Sequence, residues 1–234
     1  MKKNKELFGE AMLEYLKDKS SKLYLLKKDK TKLLVDLSYY FRDFQDLSHL
    51  EKKAISLVKG EILDIGCATG YYIPVLKRYG NVDAIDISEY AIGIARRNRI
   101  KECHVADIYK YNPAKKYDTI TLFENNLGLG GTLSKTKRLF KILAKLLKRN
   151  GQIIAIMRHT DYREKFYSSK YIPLLNGKPA KKFRWFYFNI NFLPIFCYKS
   201  NLKLEILDHD DDEGRKMYLV RMFHINSLKI KDFH

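Results

Sequence analysis

Apolar residues recur along this chain with two different periods, and the alternation between them predicts the architecture. In residues 5 to 18, Leu7, Phe8, Ala11, Leu13, Tyr15 and Leu16 fall broadly on one side, which predicts an amphipathic helix packed on a domain edge. Ser20 to Lys32 is polar, and Leu33, Leu34 and Val35, then Tyr39, Tyr40 and Phe41, supply apolar and aromatic mass. Residues 47 to 58 return to helical spacing through Leu50, Ala54, Leu57 and Val58. Ser48 with Glu51 three residues later forms a capping box at the start, and Gly60 ends the helix.

From Glu61 the period changes. Ile62, Leu63 and Ile65 make a short apolar run suited to a parallel strand buried on both faces. Gly66 and Gly70, with only Cys67, Ala68 and Thr69 between them, let the backbone turn sharply and let a ligand approach the main chain. Tyr72, Val75, Leu76 and Tyr79 then predict a helix, with Pro74 in its first turn. Further strands are predicted at Val82 to Ile87, Cys103 to Asp107, Tyr117 to Phe123 and Gln152 to Met157. Between them lie a helix capped by Ser88 and a helix from Ser134 to Lys148, closed by Asn150 and Gly151.

The repeated order of strand and helix predicts an α/β fold with an open, mostly parallel sheet covered by helices on both faces. Residues 1–59 are expected to be a helical extension on a domain formed by 60–234, with an aperiodic excursion at about 158–182. Beyond it Phe183 to Phe188, Leu202 to Leu207 and Lys216 to Phe223 are strand-like, the last two joined by an acidic turn from Asp208 to Gly214 into an antiparallel hairpin.

Charge changes this picture in one place. The formal net charge is +18, and residues 135 to 184 hold 15 Lys and Arg against 2 acidic residues, a local excess of +13. A localised basic stretch attracts anionic partners, although lysines on outer helix faces also serve as ordinary solvated surface. Three widely spaced cysteines, Cys67, Cys103 and Cys197, give neither a disulfide framework nor a metal-ligand pattern, so no metal is expected. No apolar run approaches a membrane span and the N-terminus lacks a signal-peptide block, so the expected location is cytoplasmic, with no membrane partner.

In an open α/β sheet, ligands bind beyond the carboxyl ends of the strands, and an acid about 20 residues past the first loop glycine can meet a ribose. Asp86 stands at that distance from Gly66. The spacing admits two cofactor classes, but a dinucleotide also needs a third glycine three residues after Ala68, where this chain has Tyr71.

The arrangement resembles the class I S-adenosylmethionine-dependent methyltransferases over about residues 40 to 160, with Glu61 to Gly70 as their first motif. Within them, Tyr40-Phe41, Leu50 to Ala54 and Asn125-Asn126-Leu127-Gly128 resemble a group of small methyltransferases with an N-N-L-G type segment after the fourth strand. The resemblance implies a Rossmann-like, seven-stranded sheet with a C-terminal antiparallel hairpin, and S-adenosylmethionine as cofactor. It implies that Gly66, Cys67, Ala68 and Gly70 line the methionine end, Asp64 meets the cofactor's amino group, and Asp86 holds the ribose. Asp107 would lie near the adenine amine, Ile87 and Ile108 against the ring faces, and Glu124 and Asn125 at the reaction site. Ala68 departs from the usual second glycine, and Glu124 from the segment's usual glycine.

The sulfonium methyl is already electrophilic, so positioning an acceptor and removing its proton suffice. The chain lacks the Asn- or Asp-Pro-Pro-Tyr segment of exocyclic base methylation and the Pro-Cys nucleophile of pyrimidine carbon methylation. His159, Tyr162 and Tyr167 follow the fifth strand, where a base could sit, but no catalytic residue is assigned. The expected reaction is methyl transfer to O or N of a small molecule, with residues 158–182 and the aromatics Phe183 to Tyr187 covering it. The alternative is an RNA or other polyanion methyltransferase or binding module using residues 135 to 184.

Overall fold

The computed structural model describes residues 6–160, 165–212 and 215–226. In chain order the elements are α1 (Leu7–Lys17), β1 (Leu23–Leu26), β2 (Lys32–Val35), α2 (His49–Ser56), β3 (Gly60–Ile65), α3 (Ile73–Leu76), β4 (Gly80–Asp86) and α4 (Glu89–Arg97). There follow β5 (Cys103–Val105), β6 (Tyr117–Leu122), α5 (Leu133–Leu146), β7 (Leu147–Arg158), β8 (Phe166–Leu175), β9 (Lys178–Pro179), β10 (Phe183–Phe188), α6 (Leu193–Tyr198), β11 (Leu202–Asp212) and β12 (Arg215–His224).

Seven strands form the larger sheet in the order β11-β12-β7-β6-β3-β4-β5. Strands β3 to β7 are mutually parallel, and the β11–β12 hairpin joins β7 antiparallel, as the sequence predicts. Alternate residues of each strand feed opposite faces. Leu63, Ile65, Ile120, Leu122, Ile153 and Ala155 pack with Leu139, Phe140 and Leu143 of α5. Ile62, Ile154 and Ile156 pack with Ala54 and Ile55 of α2, Ile73 and Leu76 of α3, and Ile92 and Ala95 of α4. Each such Leu, Ile or Phe side chain contributes about 1.5–3 kcal/mol when buried. A slip of one residue would reverse the faces, so the apolar pattern fixes the register.

The second sheet, ordered β10-β8-β1-β2 with β9 on β8, corrects several expectations. Residues 23–35, within the segment expected to be helical, form the β1–β2 hairpin. Phe166–Leu175, within the expected aperiodic excursion, is a strand between β1 and β10. Its alternation is masked because one face meets the core while the other meets a cleft, so both faces carry aromatics. Asn150 and Gly151 lie inside β7 instead of closing a helix, because Leu147 already pairs with Tyr117. The acidic residues Asp208 to Asp212 continue β11 and pair with β12, so the hairpin is longer than predicted. Helix α3 is a single turn, because Gly80 must already lie against Gly60, where a side chain would strike the Gly60 carbonyl carbon at 2.8 Å.

Candidate active site

A cleft of about 330 Å³ lies between the carboxyl ends of β3, β6 and β7 and one face of the second sheet. Its floor includes Asp64, Gly66, Ala68, Glu124, Asn125 and Arg158, and its roof includes Leu25, Val35, Tyr171, Phe183, Trp185 and Tyr187. The roof follows from strand register. Phe183 pairs with Tyr171 and Tyr187 with Tyr167, so these side chains share a face, whereas Phe186 and Phe188 on the opposite face enter the main core.

The glycine-containing loop is held from three sides. Gly66 is left-handed at φ 80°, and a side chain there would strike the amide nitrogen of Asn126. That nitrogen donates to the carbonyls of Ile65 at 3.0 Å and Gly66 at 3.2 Å, tying the β6 turn to the loop. Ala68 also adopts a left-handed conformation, φ 49°, and its N–H donates to Asp86 Oδ2 at 3.0 Å. From above, Met12 of α1 packs with Ala68, Ala91 and Ile94, and the Thr69 hydroxyl donates to the Tyr40 carbonyl.

Two carboxyl groups near the loop are held protonated more readily than usual. Asp64 is buried and accepts from the Thr121 hydroxyl at 2.7 Å, its one hydrogen-bond partner among the described residues. Burial, with a contribution from Asp86 and against the Thr121 hydrogen bond, pushes its carboxyl up to about 7. Burial also raises Asp86, opposed by the N–H groups of Ser88, Ala68 and Ile87.

Glu124 and Asn125 are consecutive left-handed residues, φ 50° and 62°, at the end of β6. A non-glycine pair in that region stores backbone strain, which is a feature of functional turns. Glu124, whose side chain is exposed at the cleft, joins a network that is buried behind it around Glu51. Arg42 donates to Glu51 Oε1 at 2.8 Å and to Glu124 Oε1 at 3.3 Å, and the Tyr72 hydroxyl donates to both Glu51 and Glu124 Oε1. Burial would raise Glu51, but hydrogen bonds from Tyr72 and Ser48 and the Arg42 charge hold it below its ordinary value. Glu124 moves the other way: enclosure and the Glu51 charge, against Arg42, push it up to about 7.

The structure brings Asp64, Gly66, Ala68, Glu124 and Asn125 together around the cleft. Asp86 and Asp107 stand at the ends of β4 and β5, beyond the cleft, and Asp107 accepts from the Tyr109 N–H at 3.0 Å. Ile87 is exposed there. Cys67 is buried, Gly70 backs onto Cys103 and Ile100, and Ile108 is buried in the main core, so neither the Cys67 nor the Ile108 side chain lines the cleft. His159 Nδ1 accepts from the Ile190 N–H at 3.1 Å and its ring packs edge-on to Tyr218, a structural placement. Tyr167 stacks on Tyr187 with ring centroids 4.7 Å apart, and Tyr162 lies outside the described residues.

Sequence reasoning did not single out Arg42, Asn126 or Arg158. Arg42 had a detectable partner in Glu51, identified only as a cap. Asn126 had a signal in the N-N-L-G segment, whose Gly128 admits Trp185 and the Phe186 carbonyl against the turn.

Residues 62–151 match the family model of a methyltransferase domain. Over 99 residues the chain is 35% identical to a malonyl-[acyl-carrier protein] O-methyltransferase of Ilyobacter polytropus, a match that takes in 39% of this chain and only 35% of that enzyme's length. Among solved structures, an S-adenosylmethionine-dependent methyltransferase from Bacteroides fragilis in complex with S-adenosyl-L-homocysteine aligns with a TM-score of 0.80 at 21% identity, over 94% of this chain and 95% of its own. A sugar N-methyltransferase from Streptoalloteichus sp aligns at 0.58 and 14% identity, over 81% and 92%. The match over residues 62–151 is to a methyltransferase-domain model, and the chain as a whole has the fold of the class I S-adenosylmethionine-dependent methyltransferases.

Proposed function

We propose that the protein transfers a methyl group from S-adenosylmethionine to an oxygen or nitrogen of a small-molecule acceptor. The observation that carries this reading is Asp64: a buried carboxyl open to the cleft beside the glycine-containing loop, with one neutral donor as partner, is matched to the ammonium group of the cofactor's amino-acid end. Gly66 and Ala68 offer main chain to the same end, with Cys67 buried between them and Gly70 seated against Cys103. Asp86 is assigned to the ribose hydroxyls, and Asp107, with Ile87 and Ile108 beside it, to the adenine. When bound, the cofactor supplies an electrophilic methyl group on a positively charged sulfur.

The chain's own residues orient the acceptor and take its proton. Glu124, in the turn after β6 at the cleft, faces the acceptor's hydroxyl or amine and takes its proton at the carboxylate. A base near pKa 7 is matched to that task at neutral pH. Asn125 keeps the β6 turn in place by accepting from the Arg158 N–H at 3.1 Å.

The polyanion reading of residues 135 to 184 is not favoured by any contact in the cleft, whose roof is mainly apolar. No described helix is long and apolar enough to cross a membrane. Incubation with methyl-labelled S-adenosylmethionine and a bacterial metabolite extract tests the reaction. Label should enter a small acceptor in wild type and fall at least tenfold in Glu124→Gln; transfer undiminished in that variant contradicts the assigned base.

A further inference from the structure

Among the described residues lining the cleft, one cation is not used by the network above. Arg158 ends β7 on the cleft wall, beside the Tyr187 phenol, on which its charge acts. Arg42, by contrast, is committed to Glu51 and Glu124. The guanidinium of Arg158 has no carboxylate partner among the described residues, although Glu124, in the turn after the adjoining strand β6, lines the same cleft. Its backbone is fixed, since its N–H donates to Asn125 Oδ1 at 3.1 Å.

The rest of the cleft restricts what such a cation can serve. Trp185, Phe183 and Tyr187 form an apolar aromatic roof, and the Tyr187 and Tyr171 hydroxyls are bonded to each other at 2.8 Å. The roof therefore presents ring surface more than hydrogen-bonding groups. Residues 135 to 184, which include Arg158, carry 15 Lys and Arg against 2 acidic residues. Of that excess only Arg158 lines the cleft, where the other charged lining residues are Asp64 and Glu124, and an Arg at the wall with no carboxylate partner among the described residues gives an anion a bidentate partner.

Building on the methyltransferase reading, we infer that the acceptor is a small organic acid. Its carboxylate pairs with Arg158, its apolar body lies against Trp185 and Tyr187, and its methyl-accepting hydroxyl or amine reaches Glu124. Arg158 is then a specificity-determining residue that selects charge at the far end of the acceptor. Its position across Asn125 from Glu124 separates the anion site from the reacting atom.

Calorimetric titration with matched probes tests this. Hydroxybenzoates and the corresponding hydroxybenzamides, alike in shape and different in charge, are titrated into the protein with and without saturating S-adenosyl-L-homocysteine. The acids are expected to bind at least tenfold more tightly than the amides, with the preference shrinking as salt is added. In Arg158→Ala the two classes should bind within about twofold of each other, Arg158→Lys should keep part of the preference, and affinity for S-adenosyl-L-homocysteine should not change. Equal binding of acids and amides by wild type, binding of neither, or a preference that survives in Arg158→Ala overturns the inference. So does loss of S-adenosyl-L-homocysteine affinity in Arg158→Ala, which would assign the guanidinium to the cofactor. Failure of wild type to bind S-adenosyl-L-homocysteine overturns the cofactor reading instead, and the acid–amide comparison without it still decides the role of Arg158.

Discussion

Glu51 closes the capping box of α2 by accepting from the Ser48 N–H at 2.7 Å, and the same carboxylate holds Arg42 at 2.8 Å beneath the cleft. A helix-start signal in the sequence thus doubles as the counter-ion of a buried arginine. The pair acts on Glu124 with opposite signs, Glu51 raising its pKa and Arg42 lowering it. Glu124 must be ionised to accept a proton, so methyl transfer should rise as pH climbs through about 7. Glu51→Gln should move the midpoint of that rise to lower pH, and Arg42→Met to higher pH, each by roughly a unit or less. Both should also lower stability by about 3–5 kcal/mol, the cost of leaving one member of a buried ion pair alone. A pH–rate profile of each variant checks the opposite shifts.

Asp64 predicts a trade between stability and binding. Its folded pKa of about 7 lies above the ordinary value of 3.8, so the folded state binds the proton more tightly than the unfolded state. Its contribution to stability is therefore greatest at low pH and is lost as pH rises from about 4 towards 7. Asp64→Asn should raise the unliganded melting temperature, most clearly above pH 7, by about 2–4 °C per kcal/mol recovered. The same variant should weaken S-adenosyl-L-homocysteine binding at least tenfold. In wild type near pH 6, binding should release a proton, read from calorimetry in buffers of different ionisation enthalpy.

Two of the three left-handed loop residues, Gly66 and Ala68, should respond differently to exchange between Gly and Ala. Gly66→Ala puts a methyl group into a strained conformation and against the Asn126 amide, so it should destabilise the protein by 2 kcal/mol or more, roughly. Ala68→Gly relieves about 1 kcal/mol of backbone strain while giving up packing with Met12 and Ile94, so it should stay within about 1 kcal/mol of wild type. Denaturant midpoints measured side by side decide this.

Gly128 separates the two halves of the site. A side chain there would strike Trp185 and come within 2.5 Å of the Phe186 carbonyl, displacing β10 from the turn that seats it. Gly128→Ala should therefore lower acceptor methylation at least tenfold while leaving S-adenosyl-L-homocysteine affinity within about threefold. Parallel loss of both would show that the roof does not act on the acceptor alone.

The larger sheet was legible because buried strands such as Ile62 to Ile65 and amphipathic helices such as α5 carry clear periods. The capping box at Ser48 and Glu51 was legible as local chemistry. The second sheet was not, because β1 is four residues long inside a lysine-rich stretch and finds its partner in β8, about 150 residues away in the sequence. Loop glycines and strand-end acids mark one end of the site by spacing alone. Arg42, Asn126 and Arg158 enter it through contacts between distant segments, which no spacing rule encodes.

The central claim is that the loop from Gly66 to Gly70, with Asp64 and Asp86, binds S-adenosylmethionine. Calorimetric titration of S-adenosyl-L-homocysteine into wild type and Asp86→Ala tests it most directly. The account predicts one site per chain in wild type, a matching rise in melting temperature, and affinity at least tenfold weaker in Asp86→Ala. No heat together with no thermal shift in wild type, or binding undiminished in Asp86→Ala, would contradict it.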